Sequence, residues 1–216
     1  MKDNNNNNSK QVLLSVLGVA ILVVAVVGVS FAAFSYSQTG SNVNQITTGT
    51  ISMNYNQSKP TINITNALPM TDEEGMAQTG ANNVFDFSVS ATIAGDATIN
   101  YAVTATPDSV SGLTAGDVKV YLTDGASDDE TAVGTTASGP KLVSALTTAS
   151  SISSSTGAPS GEYVLDNGTF TGSGETKNYR LRMWLDENYA GDADTGIASG
   201  QTYGLRVNVY GRAAAQ

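Results

Sequence analysis

Apolar residues at every second position, sustained across residues 85–105, constrain this chain more than any other feature. Phe85, Phe87, Val89, Ala91 and Ile93 alternate with mostly polar neighbours, and Ile99, Tyr101, Val103 and Ala105 repeat the pattern. Successive side chains of a strand point to opposite faces, so such a run buries one face of a sheet and leaves the other to solvent. A helix would scatter the same residues around its circumference. The two runs, joined through Gly95-Asp96, read as an antiparallel hairpin with one buried face.

Shorter runs of the same kind follow the chain. Residues 46–53 alternate but leave the inner face ambiguous, and Ile62 and Ile64 mark a short strand within residues 61–65. Val118, Val120 and Leu122 give another, and Tyr163 with Leu165 a further one. Tyr179, Leu181, Met183 and Leu185, and then Tyr203, Leu205, Val207 and Val209, complete the set. Residues 123–161 are rich in Ser, Thr, Gly and Ala and read as an elaborated loop region, with at most a minor strand. No amphipathic helix stands out after residue 34. The expected fold class is all-β: one antiparallel β-sandwich, jelly-roll or Ig-like, of roughly eight strands.

Composition narrows the chemistry. The chain has no cysteine and no histidine, which removes disulfides, thiol nucleophiles, the Ser-His-Asp triad and histidine-based zinc sites together. A net charge of −9 disfavours nucleic acid, because phosphate binding needs basic density. A structural or binding module fits better than an enzyme, and no cofactor is expected beyond the calcium considered below.

Residues 1–11 form a polar leader containing Lys2, Lys10 and the run Asn4 to Asn8. Residues 12–34 then run for 23 positions without a charge, which reads as a signal peptide or a membrane helix. Ser30 and Ala32 are small residues at the −3 and −1 positions of a cut between Ala32 and Ala33. The early lysines favour the cytoplasmic side, so the remainder is exported to the cell surface or beyond. A pilin-like subunit that keeps its apolar helix is a third reading, although the small residue before the cut and the early glutamate are missing. Residues 35–45 read as a flexible arm and 46–216 as the sandwich domain.

Two groups of side chains invite a functional reading. Asp186, Glu187, Asp192 and Asp194, followed by Gly196, resemble the alternating oxygen ligands of a calcium loop, but the distal bidentate glutamate is missing. The competing reading is a solvated acidic loop between two strands. Arg180, Arg182 and Trp184 share one strand face, either as a cation–π or carbohydrate platform or as an outer face on which long side chains cover the indole. Trp184 joins the core if the other face is the buried one.

One stretch carries a family resemblance. Ala32-Ala33-Phe34 is followed by Asn44-Gln45-Ile46-Thr47-Thr48-Gly49-Thr50-Ile51, then Ile62-Asn63-Ile64-Thr65-Asn66, then Leu68-Pro69-Met70. This order resembles the TasA/camelysin family of Gram-positive surface and biofilm-fibre proteins, over residues 12–70. The resemblance implies cutting by a dedicated signal peptidase near the Ala-Ala-Phe element, and self-assembly in which the freed segment adds a strand to a neighbouring subunit. Phe34, Tyr36, Val43 and Ile46 are then the side chains expected to fill the acceptor groove. The alternative makes 35–45 a stalk and 46–53 the domain's own first strand. Some camelysin-like members are labelled metallopeptidases, but this chain has no histidine and no HExxH motif, so that activity does not carry over.

The expectation is a secreted, non-enzymatic fibre or biofilm-matrix protein whose partners are copies of itself, with the signal peptidase and the membrane involved before cleavage. A membrane-anchored surface domain that binds a protein or glycan is the alternative.

Overall fold

A computed structural model describes residues 16, 17, 19, 35–39, 46–48, 51–58, 61–65, 67–79, 84–93, 97–125, 130–172, 174–189, 191 and 200–214. The chain divides into Met1–Phe34 and Ser35–Gln216. In the first unit Val16, Leu17 and Val19 are helical and exposed. Among the described residues no helix is long and apolar enough to cross a membrane. The leader and the rest of the apolar run lie outside the described residues.

The second unit is a β-sandwich of two sheets. One sheet contains β1 (Ser35–Thr39), β4 (Ile62–Thr65), β7 (Ile99–Ser111), β10 (Tyr163–Phe170) and β12 (Thr202–Ala213). The other contains β2 (Ile46–Thr48), β3 (Ile51–Gln57), β5 (Pro69–Met70), β6 (Val84–Ile93), β8 (Val118–Thr123), β9 (Lys141–Leu142) and β11 (Thr176–Asp186). The first follows the order β1-β12-β7-β10, with β4 also on β12. The second follows β2-β3-β6-β11-β8-β9, with β5 also on β11. Strand pairing is antiparallel except between β5 and β11.

The expected hairpin of residues 85–93 with 99–105 does not form. β6 pairs with β3 and β11, whereas β7 pairs with β10 and β12, so the two strands sit in opposite sheets. Alternation specifies which face of a strand is buried but says nothing about its neighbour. The connection between Ile93 and Ile99 is long enough to cross the roughly 10 Å between packed sheets.

The inner faces meet in an aromatic core. Phe87 stacks on Tyr179 with ring centroids 5.0 Å apart, and Tyr55 meets Phe87 edge-on at 5.9 Å. Such pairs add to area burial at the spacings aromatic rings prefer. The Tyr55 hydroxyl donates across the core to the Val207 carbonyl at 3.4 Å, a direct link between the sheets.

Both sheets also carry cover on their outer faces. Residues 143–161, within the region read as a loop, hold two 3₁₀ turns and a short helix, Ser153–Thr156, which ends at Gly157 with φ +83°. The left-handed turn there favours glycine. Ala149 and Ala158 of this segment pack against Ala102, Val164 and Tyr210. On the other sheet, helix α1 (Asp72–Met76) opens with a capping box, in which Thr71 and Glu74 satisfy each other's backbone N–H groups.

Helix α1 decides the place of Trp184. Leu181 and Met183 belong to the inner face, and Trp184 lies on the outer one yet is only 1% exposed. Its cover is Gly75 rather than the neighbouring arginines: a Cβ built at Gly75 would lie 2.2 Å from the indole ring. The close approach therefore requires glycine. Gly75→Ala should destabilise the fold by about 1–3 kcal/mol, as overpacking does, and shift the emission of the single tryptophan. Urea unfolding followed by that fluorescence measures both effects, and an unchanged midpoint would refute this contact.

Candidate functional site

The first strand that follows the apolar run in the sequence, β1, pairs with an edge of β12, and that edge is the candidate site. The sequence makes β12 a central strand: Tyr203, Leu205, Val207 and Val209 fill the inner face, and Gly211 lets Met53 approach closely. A Cβ at Gly211 would lie 1.9 Å from the Met53 sulfur. Asn208 and Tyr210 point the other way and are buried as well, beneath residues 149–162. Glu162 gathers that outer layer by accepting hydrogen bonds from Thr104 Oγ1, from Tyr210 at 2.8 Å and from Asn208 Nδ2 at 3.2 Å. Burial first, and then this carboxylate, push the Tyr210 phenol above its ordinary value, so it remains a donor.

One edge of β12 is paired continuously with β7 from Gly204 to Ala213. The other edge is shared between two short strands. β4 takes Thr202 to Leu205, and β1 takes Asn208 to Arg212, so Arg206 and Val207 lie between them. Both run antiparallel to β12 and therefore in the same direction, end to end. The arm expected over residues 35–45 thus begins with a strand. Five residue pairs join β1 to β12, and at about 1 kcal/mol net per hydrogen bond this main-chain pairing contributes a few kcal/mol. Removing it would expose unpaired donors and acceptors along β12, a template for another extended chain.

The residues singled out in the sequence distribute as follows. Tyr36 lies opposite Gly211 in β1, and Ile46 lies opposite Met53 in β2, in the other sheet. Residues 46–48 and 51–57 therefore pair as strands of the domain itself. Ala32, Ala33, Phe34 and Val43 lie outside the described residues, as do Asp192 and Asp194. Asp186, 7% exposed, accepts from Asn188 and lies 3.3 Å from Lys119, which also bonds Asp72 at 2.8 Å. Its carboxylate ties β11 to β8 and α1. Glu187 is exposed and lies just beyond β11. Among the described residues no group of three or more acidic side chains could hold a metal ion.

Arg180 and Arg182 form an ion-pair network instead of a platform over the indole. Arg180 makes a two-pronged contact with Asp86 at 2.7 and 3.0 Å and reaches Glu130 at 2.7 Å. Arg182 is only 4% exposed and is held by Glu130 at 2.6 Å, Thr123 at 3.3 Å and the Gln78 carbonyl at 2.7 Å. A second carboxylate, Asp166, accepts from the Tyr179 hydroxyl at 2.6 Å and the Tyr101 hydroxyl at 3.1 Å. Burial, then the nearby Asp166 charge, push the Tyr179 phenol far above its ordinary value. These clusters stitch strands together, as buried polar groups must when they leave water.

Reading alternating apolar residues alone passes over β1, Glu162 and α1. Helix α1 does carry a sequence signal, the Thr71-x-x-Glu74 capping pattern. Residues 35–39 carry no apolar alternation, and Glu162 has no local signature.

The Glu130 cluster has a consequence for acid stability. Burial raises the Glu130 pKa, but hydrogen bonds from Arg182 and Thr123 and the charges of both arginines outweigh it, and the net shift is downward. A carboxylate depressed in the folded state stabilises above its unfolded pKa, and that contribution is lost as pH falls through its folded value. Glu130→Gln strands a buried guanidinium and should cost about 3 kcal/mol at pH 7. The deficit should shrink in acid, where wild-type Glu130 is also protonated. Denaturant unfolding of both proteins at pH 7 and pH 3 tests this, and a deficit that does not change with pH would refute it. No protein-family model and no curated protein matches the chain.

Proposed function

We propose that this protein is a secreted structural subunit that polymerises by exchanging its N-terminal strand, building surface fibres or a biofilm matrix without enzymatic activity. The single observation that supports this reading is the place of β1. The residues directly after the apolar run form an edge strand on β12, held by few hydrogen bonds. An edge strand at the end of a chain is the element whose transfer to another copy costs least, because each bond lost in one copy is regained in the next. The sandwich itself is of the jelly-roll or Ig-like kind. The motif order from Ala32 to Met70, which resembles the TasA/camelysin family, points in the same direction. In this reading the apolar run directs export, and a cut before Ala33 frees the arm.

A pair of cysteines tests the exchange, because the natural chain contains none. Ser35 and Arg212 are paired in register, so Ser35→Cys with Arg212→Cys places two thiols within bridging range wherever β1 docks. If strands are exchanged, mild oxidation of assembled material should give a ladder of covalent oligomers in denaturing gels. Oxidation before assembly should lock the subunit as a monomer that reduction releases. Only monomeric cross-links from assembled material would overturn the proposal, as would secreted protein whose N-terminus is Met1.

A further inference from the structure

Two phenols from opposite sheets meet one carboxylate inside the sandwich. Tyr101 stands on β7 and Tyr179 on β11, and Asp166 comes from β10, where the register with β7 shifts between Val164 and Asp166. The Tyr179 hydroxyl donates to Asp166 Oδ2 at 2.6 Å and the Tyr101 hydroxyl donates to the same oxygen at 3.1 Å. The two hydroxyls lie 3.3 Å apart. An O–H bonded to a carboxylate at 2.6 Å falls in the short, charge-assisted range. Both tyrosines are buried and Asp166 is half-buried, so the phenols are out of water while their acceptor is partly in it. Phe170 packs 4.7 Å from the Tyr101 ring and Phe87 5.0 Å from the Tyr179 ring. Gly168 closes the enclosure, because a Cβ there would lie 3.0 Å from the Tyr101 hydroxyl. Lys177 Nζ faces the cluster from 5.4 Å above the Tyr101 ring.

These contacts tie the two sheets together, and they also supply what oxidation of a buried phenol requires. Removing one electron makes the phenolic O–H strongly acidic, and a cationic ring is costly in an apolar core. The proton must therefore leave with the electron, to a base already in hydrogen-bond contact. Tyr179 has that base in Asp166. Competing sinks are few, since the chain has no cysteine and a single tryptophan. We infer that Tyr179 is a redox-active residue that gives an electron to a small one-electron oxidant and its phenolic proton to Asp166. The oxidant is reduced by one electron, the Tyr179 O–H bond breaks, a new O–H bond forms on Asp166, and a neutral phenoxyl radical remains. An electron returned by a one-electron reductant reverses the step, with Asp166 handing the proton back. The Tyr101 hydroxyl, 3.3 Å away, is placed to donate to the phenoxyl oxygen. Because the ring is buried, the oxidants it serves are those that act by outer-sphere electron transfer. None of these residues belongs to β1, so the inference stands apart from strand exchange.

The full chain, held in detergent micelles, is mixed with hexachloroiridate(IV), an outer-sphere one-electron oxidant, and freeze-quenched for electron paramagnetic resonance. A tyrosyl radical should appear in the wild-type chain and in Tyr101→Phe, and should be lost in Tyr179→Phe. Consumption of the oxidant, followed by stopped-flow absorbance, should be slower in heavy water than in ordinary water. Asp166→Asn, which keeps the shape of the side chain and removes the base, should slow it on the order of a hundredfold. Far-UV circular dichroism checks that each variant is folded. The comparison in heavy water uses the wild-type chain alone, so it decides the question even where a variant does not fold. A wild-type chain without a tyrosyl radical, a radical undiminished in folded Tyr179→Phe, or equal rates in the two solvents overturns the inference. So does folded Asp166→Asn oxidised at the wild-type rate.

Discussion

Strand β12 is buried on both faces and hydrogen-bonded along both edges, and the rest of the domain is arranged around that demand. Its inner residues need the aromatic core supplied by β3, β6 and β11. Its outer residues Asn208 and Tyr210 need the cover and the Glu162 carboxylate supplied by residues 149–162. One edge is satisfied by the long strand β7. The other is satisfied by two short strands from distant parts of the chain, which is the least secure arrangement in the sheet. A central strand whose second edge is divided between β1 and β4 takes its hydrogen bonds there from two segments far apart in the sequence.

The interior carboxylates explain how a chain of net charge −9 packs without disulfides. Glu130 sits between two arginines, Asp166 accepts from two tyrosines, and Glu162 accepts from a threonine, an asparagine and a tyrosine. Each joins strands that are far apart in the sequence, and each is satisfied by donors from elements it helps to position. Removing one partner leaves the others desolvated, so these clusters specify a particular sheet arrangement more sharply than apolar packing alone.

Much of the fold was legible in the residues. The alternation in 85–93, 99–105, 179–185 and 203–209 marks four strands and their inner faces, and the structure places the buried residues there. The neighbours of those strands were not legible. β6 and β7 read as a hairpin and lie in opposite sheets, because the pattern along a strand is the same whichever strand sits beside it. Trp184 was ambiguous for a related reason. Its face follows from alternation, but its burial comes from a glycine more than a hundred residues earlier. On the candidate site, Tyr36 and Ile46 fall in strands, but in different sheets, and no local pattern marks Ser35–Thr39 as the partner of β12.

The sequence by itself determined the class of the fold, the buried face of its longest strands, the capping signal at Thr71 and Glu74, and the neutrality of everything between Lys10 and Lys59. These are local properties, carried by spacing, side-chain type and charge along a few residues. The tertiary structure alone decided which strands pair, which outer faces are covered, which carboxylate meets which donor, and that the short strand after the apolar run closes an edge of β12. Those outcomes depend on contacts between residues far apart in the chain. They are chosen by how much apolar area and how many hydrogen bonds the whole arrangement satisfies together, and no single segment carries that information.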